Sequence, residues 1–258
     1  MTTLQESEMT KIIALFNQSG GIGKTDLTMN LGYQLSQIKK RVLLVDMDPQ
    51  GTLTDFMGLE PFELATTVYQ SIMNEEALPI HPRIHDMDLV PANIDLSGAE
   101  LELASADMRE FRLKDALEKV QDRYDFILID CPPSLGILSF ISLVAATHTL
   151  IPIQSHYKGL KGTELLFRTI KRVRRRANKT LKIAGFVPTF HEASTGQGSR
   201  TLDAIQNQLP KVGTVYDAIP KAIAFADASE EHLPLALYQP KHPVVKTLKK
   251  IARSLAKL

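Results

Sequence analysis

The chain has no tryptophan and one cysteine in 258 residues. A lone Cys131 cannot close a disulfide or build a thiolate metal cluster, which excludes a stapled secreted scaffold and fits a reducing cytoplasm. It follows Asp130 at an apolar run's end and reads as a small buried residue. Metal-ligand histidine spacing is also missing. His81 and His85 stand four apart, but "HPRIH" contains proline and has no third ligand nearby, so it reads as a loop. No run is long and apolar enough to span a bilayer. The opening "MTTLQESEMT" lacks a basic segment followed by an apolar one, so residues 1–9 read as a polar tail, not a secretory signal, with Met9 as an alternative start. The formal net charge is only +1, so contact with nucleic acid or membrane must come from local patches. No Ser-His-Asp set, no dinucleotide G-x-G-x-x-G and no internal repeat is visible.

What the chain does have is alternation. "KIIALFN" (11–17), "RVLLVDMD" (41–48), "FILIDCPP" (126–133), "TLIPIQ" (149–154) and "LKIAGFVP" (181–188) read as strands. Their continuous apolar character suits parallel strands covered on both faces. Between the first two, residues 24–40 place Leu27, Leu31, Tyr33, Leu35 and Ile38 at near-helical spacing. The expected fold is α/β: a doubly wound, mostly parallel sheet flanked by helices, in one domain over residues 10–258. Residues 55–110 are less regular, with Pro61, Pro79, Pro82 and Pro91, short helices and a "MDLVPANI" strand.

Signals for a nucleotide gather where strands end. In "FNQSGGIGKTDLT" the backbone amides of Gly20, Gly21, Ile22 and Gly23 can wrap anionic oxygens at a helix N-terminus. Lys24 would reach the β- and γ-phosphates and the Thr25 hydroxyl would ligate Mg²⁺. "LLVDMDPQG" ends the second strand with Asp46, Asp48 and Gln50. "FILID" ends the third with Asp130, a Walker B type carboxylate that holds Mg²⁺ through water. ATP and Mg²⁺ are thus the expected cofactors of a P-loop NTPase.

Taken in order, "SGGIGKT", "VLLVDMDPQGTLT", "DFILIDCPPSLG", "LIPIQSHYKGLKG" and "AIPKAIAFADAS" resemble the ParA/MinD family of deviant Walker ATPases over nearly the whole chain. The resemblance implies an ATP-sandwich homodimer. It implies that Asp48 positions the attacking water and serves the metal with Thr25 and Asp130. It also implies that Pro132, Pro133 and the following loop sense the γ-phosphate. The nucleotide contacts would come from residues 19–26 (Ser19 to Asp26) and Gln50, with Lys24 and Asp48 carrying the chemistry.

There are two departures. The family writes K-G-G-x-G-K-T-T, and its first lysine reaches the partner's phosphates, which Ser19 cannot do. Asp26 replaces a hydroxyl residue near the α-phosphate, where a carboxylate repels nucleotide unless turned away or paired. One reading is a degenerate site that binds weakly. The other is compensation: Lys161, or Lys158, in "QSHYKGLKG" supplies the missing cation across the dimer, unless both are solvated surface lysines. Ser19 and this loop also resemble a narrower branch, the McdA type that distributes carboxysomes, with a plasmid- or chromosome-partition ParA as the alternative and a nucleotide-gated scaffold as a third.

Basic residues concentrate in two places. "KRVRRRANK" (171–179) holds six in nine, with Arg172, Arg175, Arg176 and Lys179 spaced as one helix face. Residues 241–258 contain no acid, and Lys246, Lys249, Lys250, Arg253 and Lys257 form a stripe opposite Leu248, Ile251, Ala252 and Leu255. With Arg200 and Lys221, which match the family's basic positions, they form an expected DNA-binding surface. It is shifted toward the two helices because Ala224 stands where many relatives have arginine. No base-reading helix is evident, so binding would be through phosphates, non-specific and salt-sensitive. A MinD-like membrane role for the last helix is disfavoured because its apolar side lacks Phe and Trp. The expected partners are a second copy, non-specific DNA on the nucleoid and a cargo-linked adaptor that stimulates a slow ATPase. Replacing Lys161 with alanine is expected to abolish ATP-dependent dimerisation and lower turnover, read by light scattering and phosphate release. Unchanged values would discard the compensation.

Overall fold

Apolar runs that cannot be satisfied on one face become the centre of a seven-stranded sheet: β1 (Lys11–Leu15), β2 (Val42–Asp46), β3 (His81–Ile84), β4 (Met87–Val90), β5 (Phe126–Asp130), β6 (His148–Gln154) and β7 (Lys182–Thr189). The structure is a computed structural model and describes residues 9–103, 106–156, 162–193 and 195–258. The strand order is β3-β4-β2-β5-β1-β6-β7, parallel except for the β3–β4 pair. This is the doubly wound α/β architecture expected from the alternation of strand and helix patterns.

Strand pleating divides the apolar residues between two cores. Ile12, Ala14, Leu43, Val45, Ile127 and Ile129 point to one face. It is covered by α3 (Val68–Met73), α4 (Leu96–Glu102), α5 (Arg112–Glu118), α6 (Ile137–Ala145), α7 (Thr163–Arg176) and Ile205 of α8 (Gly196–Gln208). Ile13, Leu15, Leu44, Phe126 and Leu128 point to the other. There α1 (Lys24–Ser36), α2 (Thr52–Phe56), α9 (Ala224–Glu230), α10 (Leu235–Tyr238) and α11 (Pro243–Leu255) close the layer. Each fully buried Leu, Ile or Val contributes about 1.5–3 kcal/mol of transfer free energy, so every strand except the half-exposed outermost β3 is held from both sides.

Several boundaries differ from the sequence expectation. The first helix stops at Ser36, not residue 40, because Lys39 turns left-handed (φ 64°) and the Lys40 amide returns to the Leu35 carbonyl. "HPRIH" is no mere loop: residues 81–84 pair with β4 through a tight turn in which His85 and Asp86 both have positive φ (50° and 61°). That turn normally shows glycine or asparagine, so its chemistry was hidden. Pro82 sits on this outermost strand, where a missing N–H costs no ladder bond. The helix bearing the arginine run ends at Arg176, so Lys179 lies in the following turn and not on the helical stripe. The Asn178 amide causes this exit by donating to the carbonyls of Leu143, Val144 and Ala146 (3.1, 3.1 and 2.7 Å), which close the end of α6. Lys257 likewise lies beyond the end of α11.

At the other edge, residues 214–221 run alongside β7, with the Phe186 amide bonded to Thr214 O and the Tyr216 amide to Phe186 O. Gly185 makes this approach possible. Its φ is +151°, and an added methyl would lie 2.5 Å from Tyr216 Cε2 and 2.7 Å from Thr214 O. Gly185→Ala is therefore expected to destabilise the fold by about 1–3 kcal/mol, measured as a lowered denaturation midpoint. An unchanged midpoint would show that the 214–221 segment yields freely.

Candidate nucleotide site and basic surfaces

Asn17 fixes how the chain leaves β1. Its Nδ2 donates to Pro152 O (2.7 Å) on β6 and its Oδ1 accepts from the Ser19 amide (3.0 Å). Gly21 and Gly23 are left-handed (φ 62° and 80°), a conformation that lets a tight loop close without a side-chain clash. Gly20 packs against Pro133, where an added Cβ would lie 3.6 Å from the proline Cβ, so the glycine loop touches the segment after β5. Ile22 is buried beneath it. The loop thus presents Ser19, Gly20 and Gly21 outward and delivers Lys24 to the first turn of α1.

Lys24 is buried and donates from Nζ to Ser19 O (2.9 Å). Burial depresses its pKa, while nearby Asp130 pulls the other way. Thr25 Oγ1 donates to Asp130 Oδ2 (2.7 Å) and Thr28 Oγ1 lies 3.3 Å from Asp130 Oδ1. Asp130 is 1% exposed, and its pKa rises to about 8, first through burial and then through Asp46 beside it in the β2–β5 register. Asp46 is itself wholly buried, with a pKa raised by burial to about 6. It accepts from the Asp48 amide (3.0 Å), the Thr54 amide (2.9 Å) and Thr54 Oγ1 (2.8 Å). Asp46 therefore builds the loop that carries Asp48 and Gln50. Asp48 is half-buried, its Oδ1 accepts from the exposed Gln50 amide (3.0 Å), and burial raises its pKa.

Thr25 and Asp130 form a pair of hard oxygen donors at the carboxyl edge of the sheet, the donor type that Mg²⁺ takes beside phosphate oxygens and water. Among the described residues no cluster of three His, Cys, Asp or Glu could hold a metal alone. Those residues fit a metal brought in with a nucleotide. Asp26 is half-buried at the third position of α1 and its carboxylate has no hydrogen bond or ion pair among the described residues; burial lifts its pKa to about 6. Around Gly23, both Asp26 Oδ2 and the Phe190 ring lie within 4 Å of where a Cβ would stand. A cavity of about 460 Å³ opens from Gly21 past Ser155, His156 and Phe190 to the Glu192–Lys221 ion pair (3.2 Å). The buried Ser155 Oγ on its wall has no hydrogen-bond partner among the described residues.

Lys158 and Lys161 lie outside the described residues. The described chain resumes at Gly162, whose carbonyl accepts from Gln18 Nε2 in the glycine loop (3.1 Å). The tethers made by Asn17, Gln18, Thr28 and Asp46 escaped the sequence reading. Of these, only the D-x-D spacing of 46 and 48 carried any signal.

The basic helices are not joined into one surface. The apolar side of α7 enters one core and that of α11 the other, so Arg172, Arg175 and Arg176 lie across the sheet from Lys246, Lys250 and Arg253. Arg172 stacks on Phe140 (5.5 Å), and Arg175 and Arg176 are exposed. Arg200 is exposed on α8. Lys221 and Lys250 are held by Glu192 and by Asp217 (2.9 Å), whereas Lys246 and Arg253 are exposed without an acidic partner among the described residues. The apolar stripe of α11, from Val244 to Leu255, is packed against the sheet layer. No helix among the described residues is long and apolar enough to cross a membrane.

A glycine loop between β1 and α1, a lysine and threonine at the helix start and a buried acid ending the adjacent strand define a P-loop NTPase. The AAA domain family matches residues 10–183. The sporulation initiation inhibitor protein Soj of Bacillus subtilis is 39% identical over 237 residues, 90% of this chain and 93% of the relative. The chromosome partitioning protein ParA of Myxococcus xanthus is 36% identical over 251 residues, 96% and 88% of the two chains. The chain belongs to the ParA/MinD family of AAA-domain P-loop ATPases. Among solved structures, cobyrinic acid a,c-diamide synthase of Mycobacterium smegmatis with ADP and magnesium superposes with a TM-score of 0.85 at 31% identity, covering 96% of this chain and 95% of that one. A substituted McdA of Cyanothece in complex with ATP superposes at 0.86 with 24% identity over 96% and 97%, a likeness of fold.

The raised carboxylates give a pH signature. Both Asp130 and Asp46 have folded pKa values above the ordinary 3.8, so the metal-free fold binds their protons more tightly than the unfolded chain. The stability these two groups contribute should be fully present below that ordinary value and be lost as pH rises toward about 8. Asp130→Asn should remove the upper part of this decline, above the range where Asp46 titrates, in thermal melts without metal or nucleotide. A decline of wild-type steepness in the variant would contradict the assignment.

Proposed function

We propose that the protein is a positioning ATPase. It binds ATP with Mg²⁺, pairs as an ATP-sandwich homodimer, holds DNA non-specifically on the nucleoid of the cytoplasm, and distributes a cargo whose adaptor stimulates hydrolysis. The observation that carries this reading is the Thr25–Asp130 pair set beside a buried Lys24. In this role Lys24 leaves Ser19 O and turns its charge to the phosphates. Thr25 and Asp130 would hold the metal, which on binding offsets phosphate charge. Asp48, aimed by the Gln50 amide, orients the attacking water, while the amides of residues 20–25 and the Ser19 hydroxyl hold oxygens. Gly20 against Pro133 supports a route by which the post-β5 segment senses loop occupancy. Asp26, already raised by burial, meets nucleotide in protonated form more readily than an exposed aspartate would.

Ser19 supports slow intrinsic turnover with Lys161 or Lys158 as the compensating cation. It also supports the McdA-type cargo, carboxysomes. The names Soj and ParA among the relatives support a chromosome or plasmid cargo instead. A nucleotide-gated scaffold would keep the dimer but release no phosphate. The likeness to a diamide synthase supports an enzyme that acts on a carboxylic acid, which ATP turnover dependent on cobyrinic acid would reveal.

The placement of basic residues supports contact with DNA through either sheet face, chiefly α11 with Lys246 and Arg253. A gel shift on a random-sequence duplex with ATP, ADP or no nucleotide at two salt concentrations tests the proposal. A shift with ATP alone is expected, with affinity falling by about 10³ or more between low and moderate salt if six or more phosphates are neutralised. Equal behaviour in all three states would overturn the ATP-gated reading.

A further inference from the structure

The start of α6, the last turn of α7 and the 3₁₀ turn Arg109–Phe111 enclose a groove of about 360 Å³. Its apolar walls are Leu135, Ile137 and Phe140, each packed against the core yet only half-buried. Arg172 and Arg176 also line it, one helical turn apart, so their charged ends reach the same volume. Both are exposed, and neither has an acidic partner among the described residues. Arg174 between them is tied down, its Nε donating to Leu181 O (2.7 Å). Arg172 lies over the Phe140 ring (5.5 Å), which holds its charge at the edge of the apolar wall. With Arg109, three arginines line the groove against one acid, Glu110.

The apolar wall is continuous with the nucleotide site. Ser139 Oγ donates to Ser134 O (2.7 Å) and the Gly136 amide to Ser134 Oγ (3.3 Å), so residues 132–136 are fastened to the first turn of α6. Within the same segment Pro133 packs against Gly20 of the glycine loop.

We infer that this groove docks an acidic peptide segment of a partner protein, with carboxylates set against Arg172 and Arg176 and an apolar side chain against Phe140. The assignment rests on the adaptor reading above and gives that contact a place and a chemistry. Guanidinium groups fork carboxylates bidentately, and a half-buried apolar wall gains from a side chain laid on it. A nucleic-acid backbone would meet the arginines and leave Leu135, Ile137 and Phe140 uncovered. Occupation of the groove reaches the glycine loop through residues 132–136.

The test begins with a displayed library of short random peptides, selected on the full chain with ATP and Mg²⁺. Enriched sequences should combine Asp or Glu with a large apolar residue. Labelled copies are then measured by fluorescence anisotropy. Arg172→Ala with Arg176→Ala should weaken them about tenfold or more, as loss of two charge-assisted contacts does. Lys182→Ala with Lys211→Ala removes the same charge at exposed positions outside the groove and should bind as wild type. Ile137→Ala should weaken binding severalfold without changing its salt dependence. Circular dichroism melts establish that each variant is folded; should the alanine pair melt early, Arg172→Gln with Arg176→Gln carries the same expectation. Enrichment of peptides without acids, or equal affinity in the two double variants, would overturn the docking site. Loss of duplex binding in the arginine pair, with no acidic peptide enriched, would assign the groove to nucleic acid instead. An enriched peptide should also raise phosphate release by the wild type severalfold. Arginine-dependent binding with unmoved release would uphold the docking site and sink its link to adaptor-stimulated hydrolysis. No peptide binding beside ordinary ATP turnover would sink the docking site and leave the ATPase reading intact.

Discussion

Two carboxylates sealed at the ends of neighbouring strands, Asp46 and Asp130, organise the carboxyl edge of this sheet. Placing two acids side by side in an apolar core is costly unless each is supplied with donors or protonated. Asp46 is supplied by Thr54 and the Asp48 amide, which bends the following loop into place. Asp130 is supplied by Thr25 and Thr28, which ties α1 to β5. The Met47 amide adds a bond to Asp130 O (3.0 Å), which ties the starts of the two loops together. The geometry of this edge is a by-product of satisfying buried charge.

The sheet also partitions the molecule. One layer contains the helix that starts at the phosphate loop and the C-terminal helix packed beside it; the other contains the arginine-rich helix. The two basic helices of this near-neutral chain therefore stand on opposite layers of the sheet. Since α1 runs from the nucleotide site to a groove that it lines together with Lys249 and Arg253 of α11, the layer with α11 is the one whose basic surface shares a helix with the chemistry.

The parts of this arrangement legible in the sequence were those set by local spacing. Glycines at fixed offsets, Lys24 and Thr25 in phase, and acids closing apolar runs identify strand-loop-helix geometry because backbone sterics allow few alternatives. Tertiary effects were not legible. A stripe of arginines tells which side of its own helix meets water, and says nothing of which side of the sheet that helix joins. The departure of Lys179 from the stripe depended on Asn178 capping a different helix. The β3–β4 turn used His85 and Asp86 in a backbone conformation that ordinarily announces itself with glycine. Asp46 looked like one more acid of a motif, although its partner Thr54 lies eight residues on.

The outermost strands have a consequence for assembly. On one flank Pro82 lacks a donor and Arg83 is left-handed (φ 59°), so the exposed backbone is broken as a template. On the other, the 214–221 segment already occupies the backbone groups of β7. Neither flank can zip onto another chain by strand addition. Copies of this protein that pair would therefore meet through side chains, loops and whatever those loops hold, contacts that a change of ligand can undo. Such pairing would be responsive to chemistry and protected from the irreversible growth that open sheet edges invite.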